Sequence, residues 1–288
     1  MSETVDFGTV AIVGVGLLGG SIARALIKSR SSVRVIGVGR SAERLEQALH
    51  LGAITEYTVS LGDVSSECDI IVLCTPVGHI IQDLPETLRL AGPDCTVTDV
   101  GSVKTSICSA AVGDRRFVGG HPMAGSEQAG VVASRPDLFE DATWAITPTE
   151  TTNPVHFQKV KMLAQQLGAA TIILTPERHD RAVAITSHLP HAMATSLMRL
   201  ADSKGTEAPE LQSLTAGSFA DGTRVAASSA ELWADIFHYN REALIEVLRQ
   251  YRLEIDGFLS DLEAEDRKKL QERFESGSTA KRSWSKQA

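Results

Sequence analysis

The chain has 288 residues, of which 43% are apolar and 22% charged, and its formal net charge is -8 at pH 7. This composition is typical of a globular protein long enough for two domains, and the negative charge argues against nucleic acid as a partner, because phosphate binding depends on clustered Lys and Arg. Since no basic segment leads into an apolar run at the N-terminus and no apolar run approaches about 18 residues, we expect a cytoplasmic protein with no membrane contact.

The four cysteines show no pattern of a metal site or of a disulfide framework. There is no CxxC pair and no accompanying histidine spacing, so we expect reduced, mostly buried thiols and no bound metal. The cysteines are Cys68, Cys74, Cys95 and Cys108.

The first 175 residues alternate between strand-like and helix-like patterns. Short apolar runs predict strands, and the segments between them carry apolar residues at helical spacing. This alternation predicts repeated βαβ units around a mainly parallel sheet of the Rossmann type. The strand candidates are residues 10–13, 33–38, 70–73, 96–100, 116–118, 143–147 and 171–175.

Beyond residue 176 the pattern becomes helical throughout. Residues 177–200, 230–259 and 264–274 carry Ala, Leu, Glu and Arg at helical spacing, and Pro190 should kink or split the first of these helices. Residues 276–288 are polar and without pattern, which predicts a disordered tail. We therefore predict a dinucleotide-binding domain at 1–175, an all-helical substrate and dimerisation domain at 176–275, and a tail at 276–288.

A glycine motif, GVGLLG at residues 14–19, directly follows the first strand and opens a helix. In a dinucleotide fold Gly14 permits the tight turn, Gly16 lets the backbone approach a pyrophosphate, and Gly19 lets helix pack on strand. The N–H groups of Leu17 and Leu18 open the helix and face the phosphates. We add Thr75, after the third strand, to these cofactor-binding residues; a glycine-rich turn that binds nothing is the alternative.

The end of the second strand bears on the choice of cofactor. Gly39 holds the place where an NAD site usually has an acidic residue that binds the ribose hydroxyls. Arg40 and Ser41 follow and could donate hydrogen bonds to a 2′-phosphate, so NADP is favoured over NAD. A solvated surface arginine is the alternative interpretation of Arg40.

Three further segments carry residues suited to chemistry. Ser102, in DVGSVK, follows a strand at the carboxyl edge of the sheet, and either reaches a ligand there or caps a helix. His121, in GGHPMAGSE, is fixed by Pro122 and nearby glycines, which suits proton transfer as well as a structural role. Arg224 follows a glycine turn, where it could bind a substrate carboxylate or form a surface ion pair.

In this order, the segments GVGLLG, DVGSVK, GGHPMAGSE, SHLPHA and DGTRVAASSAELWADI resemble the prephenate/arogenate dehydrogenase family across nearly the whole chain. The resemblance implies an oxidative decarboxylation in tyrosine biosynthesis, with hydride passing from a cyclohexadienol acid to the nicotinamide. The ring carboxylate leaves as carbon dioxide, and the product is an aromatic phenol, 4-hydroxyphenylpyruvate or tyrosine. The resemblance also implies a homodimer formed through the helical half.

The resemblance assigns roles residue by residue. It implies that His121 draws off the proton of the ring hydroxyl, that Ser102 supports His121 and this hydroxyl, and that Arg224 holds a substrate carboxylate. The other residues that it places in the substrate pocket are His188, Glu127, Asp221 and Trp233. It gives no role to His191.

Two alternatives stay open from the residues. Another NADP-dependent dehydrogenase, acting on a hydroxy acid or an imino acid, would typically need a lysine in the helical half, and Lys204 in its polar segment looks exposed. A cofactor-sensing protein without turnover would not need His121, Ser102 and Arg224 together.

Overall fold

The computed structural model of the chain describes residues 6–29, 33–125, 128–205 and 207–285. In the described residues, eight strands form one sheet in the order β3-β2-β1-β4-β5-β6-β7-β8. The strands are β1 Thr9–Val13, β2 Arg34–Val38, β3 Glu56–Thr58, β4 Ile70–Leu73, β5 Thr96–Asp99, β6 Phe117–Pro122, β7 Thr143–Thr147 and β8 Ala170–Ile173. All neighbours are parallel except β6 and β7. The predicted Rossmann-type sheet is confirmed.

Helices connect the strands and continue after the last one. They are α1 Leu17–Ser29, α2 Ala42–His50, α3 Val77–Leu90, α4 Thr105–Ala110, α5 Pro154–Gln166, α6 Pro176–Val183, α7 Leu189–Gly205, α8 Gly217–Thr223, α9 Ala230–Tyr239, α10 Arg241–Glu263 and α11 Arg267–Ser285. Short 3₁₀ turns occur at Leu61–Asp63, Ser65–Glu67, Val131–Ala133, Pro209–Leu214 and Arg224–Ala227. None of the described helices is long and apolar enough to cross a membrane.

The central strands are buried on both faces, as parallel sheets require. Alternate residues of β1 face opposite sides: Val10 and Ile12 pack into one apolar core with Ile22 of α1, and Ala11 packs into a second core with Ile80 of α3. These two cores hold α1 and α3 on opposite faces of the sheet. The loops at the carboxyl ends of the strands are thereby fixed.

The edge strand β3 was not predicted from the sequence. Its three residues, Glu56–Thr58, carry no apolar run, and Glu56 is paired with Arg34 of β2 at 2.8 Å. A short, exposed edge strand of this kind depends on its neighbour for its conformation, so its own residues give little signal.

The chain divides into two compact units, residues 1–241 and 242–288. The predicted boundary at 175/176 lies inside the first unit, where α6 and α9 are hydrogen-bonded to helices that flank the sheet. The Asp180 carboxylate accepts hydrogen bonds from the backbone N–H groups of Lys104 and Thr105. The Asp235 carboxylate likewise accepts one from Gly78 N at the start of α3.

The predicted tail from residue 276 is corrected by the structure, in which α11 extends to Ser285. The helix has no continuous apolar stripe, and side-chain pairs one turn apart support it locally. Gln271 donates to Glu275, and Arg282 donates to Ser278. Sequence periodicity cannot detect a helix that buries no face.

Pro190 splits the predicted helix of residues 177–200. A π-helical segment, Ala184–His188, separates α6 from α7, and Leu189 N bonds to the carbonyl of Ala184 five residues earlier. This wider turn lies directly before the proline, which lacks a backbone N–H. It carries His188 into the core of the first unit.

Candidate active site

The turn between β1 and α1 forms a cradle in which each glycine of the motif has a separate reason to lack a side chain. Gly14 has φ +94°, a conformation that favours glycine, and its N–H bonds to Val38 O. A Cβ on Gly19 would lie 2.3 Å from Gly14 O, so α1 could not pack on β1. A Cβ on Gly16 would meet nothing within 4 Å, which leaves open space beside this backbone.

The donor groups around this space fit a dinucleotide. The N–H groups of Leu17 and Leu18, in the first turn of α1, have no acceptor within the helix, and the positive end of the helix dipole favours phosphate. Thr75 lies across the turn, with its methyl group 2.9 Å from the position of a Gly14 Cβ. Its hydroxyl oxygen is buried and has no hydrogen-bond partner among the described residues. The cradle therefore presents open space, free amides and an unsatisfied hydroxyl.

The loop after β2 supplies the predicted cofactor-selecting residues. Arg40 is exposed, whereas Ser41 is the N-cap of α2, with its hydroxyl oxygen accepting from Arg44 N at 3.3 Å. Gly39 brings no carboxylate to this position. Arg40 is thus a cation open to solvent in this loop, and Ser41 caps α2.

A buried ion pair fixes the backbone at the carboxyl ends of β5 and β6. Lys104 and Asp99 are both fully buried and paired with each other. Lys104 Nζ donates to Gly120 O at 2.7 Å, and Asp99 accepts from Gly120 N at 3.1 Å and from Gly101 N at 2.7 Å. The N–H and C=O groups of Gly120, the residue before His121, are therefore both hydrogen-bonded. The motifs DVGSVK and GGHP fold against each other through this pair.

The imidazole of His121 is hydrogen-bonded to a second imidazole. His121 Nδ1 lies 2.8 Å from His179 Nε2, and His179 Nδ1 lies 2.8 Å from an oxygen of Asp180. His179 and Asp180, adjacent on α6, are buried, while His121 is half-buried. Three side chains from β6 and α6 thus form one chain of hydrogen bonds.

The surroundings of His121 keep it neutral. Burial, His179, the Lys104 ammonium and His188 together hold the pKa of His121 well below its ordinary value. A neutral imidazole has one nitrogen that can accept a proton. His121 is therefore suited to act as a base near neutral pH.

His188 lies behind the site rather than on its surface. Its ring is 1% exposed, its Nδ1 lies 3.0 Å from Asn240 Nδ2, and it packs edge-on against Trp233 at 6.0 Å. Burial is the largest influence on its pKa and lowers it to about 4. Asn240 also donates to Asp180 O, so the amide joins His188 to α6.

His191, one turn further along α7, faces a different environment. Its ring is half-exposed and stacks on Trp233, with centroids 3.4 Å apart and planes 21° apart. Its Nδ1 lies 2.9 Å from Ser187 O. The stacked pair offers a flat aromatic surface.

The remaining predicted residues lie in loops and turns. Ser102 is half-buried between Gly101 and Val103, and its loop is bound at both ends by Asp99 and Asp180. Arg224 begins a 3₁₀ turn and is exposed, and Asp221, in α8, is also exposed. Arg224 acts electrostatically on His191, which places the two groups near each other. Glu127 lies outside the described residues.

Known protein families account for nearly the whole chain. The nucleotide-binding domain of prephenate dehydrogenase matches residues 22–185, more than half of the chain, and the dimerization domain of prephenate dehydrogenase matches residues 175–276. The chain belongs to the prephenate dehydrogenase family. The resemblance inferred from the motifs is confirmed.

Relatives within the prephenate dehydrogenase family match over most of their length. The prephenate dehydrogenase of Bacillus subtilis is 34% identical over 268 residues, which cover 91% of this chain and 72% of that protein. A crystal structure of prephenate dehydrogenase from Aquifex aeolicus, in complex with hydroxyphenyl propionate and NAD+, has a TM-score of 0.90 at 31% identity and covers 98% of this chain and 99% of that one. The Synechocystis arogenate dehydrogenase structure has a TM-score of 0.84 at 30% identity, covering 96% and 99%.

Sequence reasoning gave no role to four residues of this candidate site: His179, Asp180, Asn240 and His191. The adjacent pair His179 and Asp180, in a helix that begins directly after the last strand, was an available signal. His191 was visible as the second histidine of SHLPH. Asn240 carried no signal, because it joins the site only through tertiary packing.

Proposed function

We propose that the chain catalyses the nicotinamide-dependent oxidative decarboxylation of prephenate or arogenate to 4-hydroxyphenylpyruvate or tyrosine. The observation that carries this proposal is the His121 imidazole. It is neutral, its Nδ1 is held by a second imidazole at 2.8 Å, and it lies at the carboxyl edge of the sheet that also bears the glycine cradle. Ligands of open α/β sheets bind at this edge.

The reaction needs an acceptor for a hydride, an acceptor for a proton and a means of holding the acid. A nicotinamide held by the cradle would supply the hydride acceptor. Hydride leaves the ring carbon that bears the hydroxyl, and the bond between the ring and its carboxylate breaks to release carbon dioxide. The electron pair of that bond completes the aromatic ring and passes to the oxygen, which takes back a proton to give the phenol. The chain supplies the other two functions.

His121 is the proposed acceptor of the ring hydroxyl proton. The Asp99 and Lys104 pair holds the preceding peptide, so the ring cannot turn away by backbone motion. Ser102 is proposed to hydrogen-bond His121 and the same hydroxyl from its anchored loop. A positioned base of this type contributes roughly 10²–10⁴-fold to the rate.

Arg224 is proposed to bind a substrate carboxylate. Its guanidinium is exposed at the start of a 3₁₀ turn, close enough to influence His191 electrostatically. The half-exposed His191 ring, stacked on Trp233, is proposed to face the substrate ring, with His188 supporting Trp233 from behind. Asp221 and Glu127 are proposed as further residues of the pocket.

The cofactor is proposed to be NADP rather than NAD. Gly39 offers no carboxylate to the ribose, and exposed Arg40 can bind a 2′-phosphate. Replacement of Arg40 by Ala is expected to raise KM for NADP+ and to leave KM for NAD+ unchanged. Arg89→Ala removes an arginine that is paired with Glu86 on α3 and serves as the matched control.

The chain is also proposed to form a homodimer through its helical half, since residues 175–276 match a dimerization domain. Seven large apolar side chains among the described residues of this range are more than half exposed, which suits burial against a second protomer. They are Ile185, Leu200, Leu214, Leu253, Leu259, Leu262 and Phe274. Sedimentation equilibrium is expected to give twice the chain mass, and Leu253→Lys is expected to weaken the association.

Steady-state kinetics tests the proposed function. Prephenate and arogenate are each combined with NAD+ and with NADP+, and the absorbance of reduced nicotinamide is followed. We expect turnover with prephenate or with arogenate, and we expect His121→Asn to lose it. Dinucleotide binding without turnover in all four combinations would indicate a sensor, and turnover only with other hydroxy acids would indicate a different dehydrogenase.

A further inference from the structure

His121 makes its hydrogen bond to another histidine instead of to a carboxylate. We propose that His179 and Asp180 are positioning residues that hold His121 as the tautomer protonated on Nδ1, which leaves Nε2 free to take the substrate proton. The inference rests on the proposed function for its catalytic meaning. The tautomer itself is a property of the free protein.

The ionisation state of Asp180 is set by the groups that donate hydrogen bonds to it. Burial opposes its charge, but hydrogen bonds from His179, from the Thr105 side chain and from the backbone N–H groups of Lys104 and Thr105 outweigh this and lower the pKa of Asp180. An ionised carboxylate can only accept hydrogen bonds. His179 Nδ1, 2.8 Å from this carboxylate, must therefore carry a proton and donate it.

The proton on His179 Nδ1 decides which atom donates in the bond between the two imidazoles. In a neutral imidazole one nitrogen donates and the other accepts, so a proton on Nδ1 leaves Nε2 as an acceptor. His179 Nε2 lies 2.8 Å from His121 Nδ1, and one of these two nitrogens has to donate. His121 Nδ1 is then the donor, and its Nε2 keeps the lone pair.

The positioning residues are themselves held rigidly. His179 is 1% exposed and Asp180 is 5% exposed, and the Asp180 backbone carbonyl accepts from Asn240 Nδ2 at 2.9 Å. Because the Asp180 carboxylate also binds the backbone at the start of α4, the α6 helix cannot shift without breaking these bonds. A fixed partner gives a fixed tautomer.

The same arrangement serves the proton transfer. When the substrate O–H bond breaks and an N–H bond forms at His121 Nε2, the ring becomes an imidazolium with its Nδ1–H aimed at His179. The carboxylate of Asp180 lies beyond that ring and stabilises the positive charge. His179 and Asp180 touch no substrate in this proposal and act through His121.

Two substitutions of His179 separate positioning from a merely structural role. Glutamine can present its amide oxygen near the place of Nε2 and accept from His121, whereas asparagine reaches only the place of Nδ1. His179→Asn is expected to lower kcat roughly 10–100-fold with little change in KM, and His179→Gln is expected to recover part of that loss. His50→Asn changes an exposed histidine of α2 and is the matched control, with activity unchanged.

Nitrogen NMR of the full chain labelled with ¹⁵N-histidine reads the tautomer directly, and His121→Asn identifies the signals of His121. We expect a protonated Nδ1 and an unprotonated Nε2 in the wild-type protein, and a mixture of tautomers in His179→Asn. A protonated Nε2 in the wild-type protein would overturn the proposal. So would unchanged kcat in a folded His179→Asn protein.

The spectra need no substrate, so the tautomer is decided even if the wild-type protein fails to turn over prephenate and arogenate. In that case the proposed function fails while the assignment of the tautomer stands or falls separately. If His179→Asn does not fold, as judged by its melting temperature, the wild-type spectrum and the His179→Gln kinetics still decide the question.

Discussion

The glycine cradle and the imidazole cluster, which consists of His121, His179, Asp180, His188 and Asn240, lie at the same edge of one sheet. They are built in opposite ways. The backbone of the cradle comes from one continuous stretch, residues 14–19, where the absence of side chains creates the space, and Thr75 adds its hydroxyl from across the turn. The cluster consists of side chains from distant positions: His121 and His179 are 58 residues apart, and Asn240 is 52 residues beyond His188. The cradle is specified locally, whereas the cluster exists only after the chain has folded.

This difference predicts different responses to substitution. In the cradle, a side chain added to a glycine either prevents the native packing or occupies the space for a ligand, depending on the position. In the cluster, removal of a polar side chain changes the protonation of its neighbours, because the groups are buried and share hydrogen bonds. Substitutions in the two regions can therefore be told apart by whether they change catalysis, binding or stability.

The largest effect is expected for the base itself. His121→Asn removes the group that accepts the proton and should lower kcat by roughly 10²–10⁴-fold, with KM for the acid little changed. Initial rates over a range of substrate concentrations measure both constants. Equal turnover in the variant and the wild-type protein would remove His121 from the mechanism.

The cluster should also make stability depend on pH through His188. Its pKa is about 4 in the folded protein against 6.5 ordinarily, so the unfolded chain binds more protons between these values. The stabilisation is therefore complete above pH 6.5 and is lost as the pH falls towards 4, by about 3 kcal/mol in all. Urea unfolding at pH 7 and at pH 4.5 measures the loss.

His188→Asn cannot titrate and keeps an oxygen near Asn240, so its stability should fall less between the two pH values. His50→Asn, at an exposed site, should show the full wild-type fall. A fall of the same size in His188→Asn would contradict the assignment of this pH dependence to His188.

A smaller effect is expected for substrate binding. Arg224→Ala should raise KM for prephenate or arogenate by roughly 10- to 100-fold, the range for loss of a charge-assisted hydrogen bond, with a smaller change in kcat. Arg224→Lys keeps the charge but loses the planar guanidinium, so its KM should lie between those of the wild-type protein and of Arg224→Ala. An unchanged KM in both variants would assign the carboxylate to another residue.

The smallest effects distinguish two glycines of the cradle. Gly19→Ala should destabilise the protein by about 1–3 kcal/mol, because its Cβ would meet Gly14 O at 2.3 Å. Gly16→Ala should leave the unfolding free energy within about 0.5 kcal/mol, because nothing lies within 4 Å, and should weaken dinucleotide binding. Thermal melts and titrations with NADP+ test both, and full binding by Gly16→Ala would contradict the placement of the pyrophosphate there.

The sequence predicted the cradle more completely than the imidazole cluster. Gly14, Gly16 and Gly19 were assigned because strand, turn and helix are contiguous and each needs a particular residue type. The glycines and the proline around His121 left a structural role equally open, and its role as a base comes from the family resemblance. Its partners His179 and Asp180 were missed, because no local rule states which side chains tertiary packing will bring within 2.8 Å.

Two further predicted residues have contacts that the sequence did not indicate. Ser41 is predicted to bind a cofactor phosphate, and in the structure its oxygen also caps α2, which leaves its O–H to donate. The resemblance places His188 in the substrate pocket, and the structure adds that His188 packs against Trp233 and Asn240 and is buried, while His191 is half-exposed. Burial of a polar side chain is decided by the fold and not by its neighbours in sequence.

A crystal structure of the protein with NADP+ and a 4-hydroxyphenyl carboxylic acid would show whether His121 meets the substrate oxygen. We expect His121 Nε2 within hydrogen-bond distance of the phenol oxygen, with His179 still bound to Nδ1, and the Arg224 guanidinium at the carboxylate. A phenol oxygen bound elsewhere, with His121 Nε2 directed at protein or bulk solvent, would contradict this expectation.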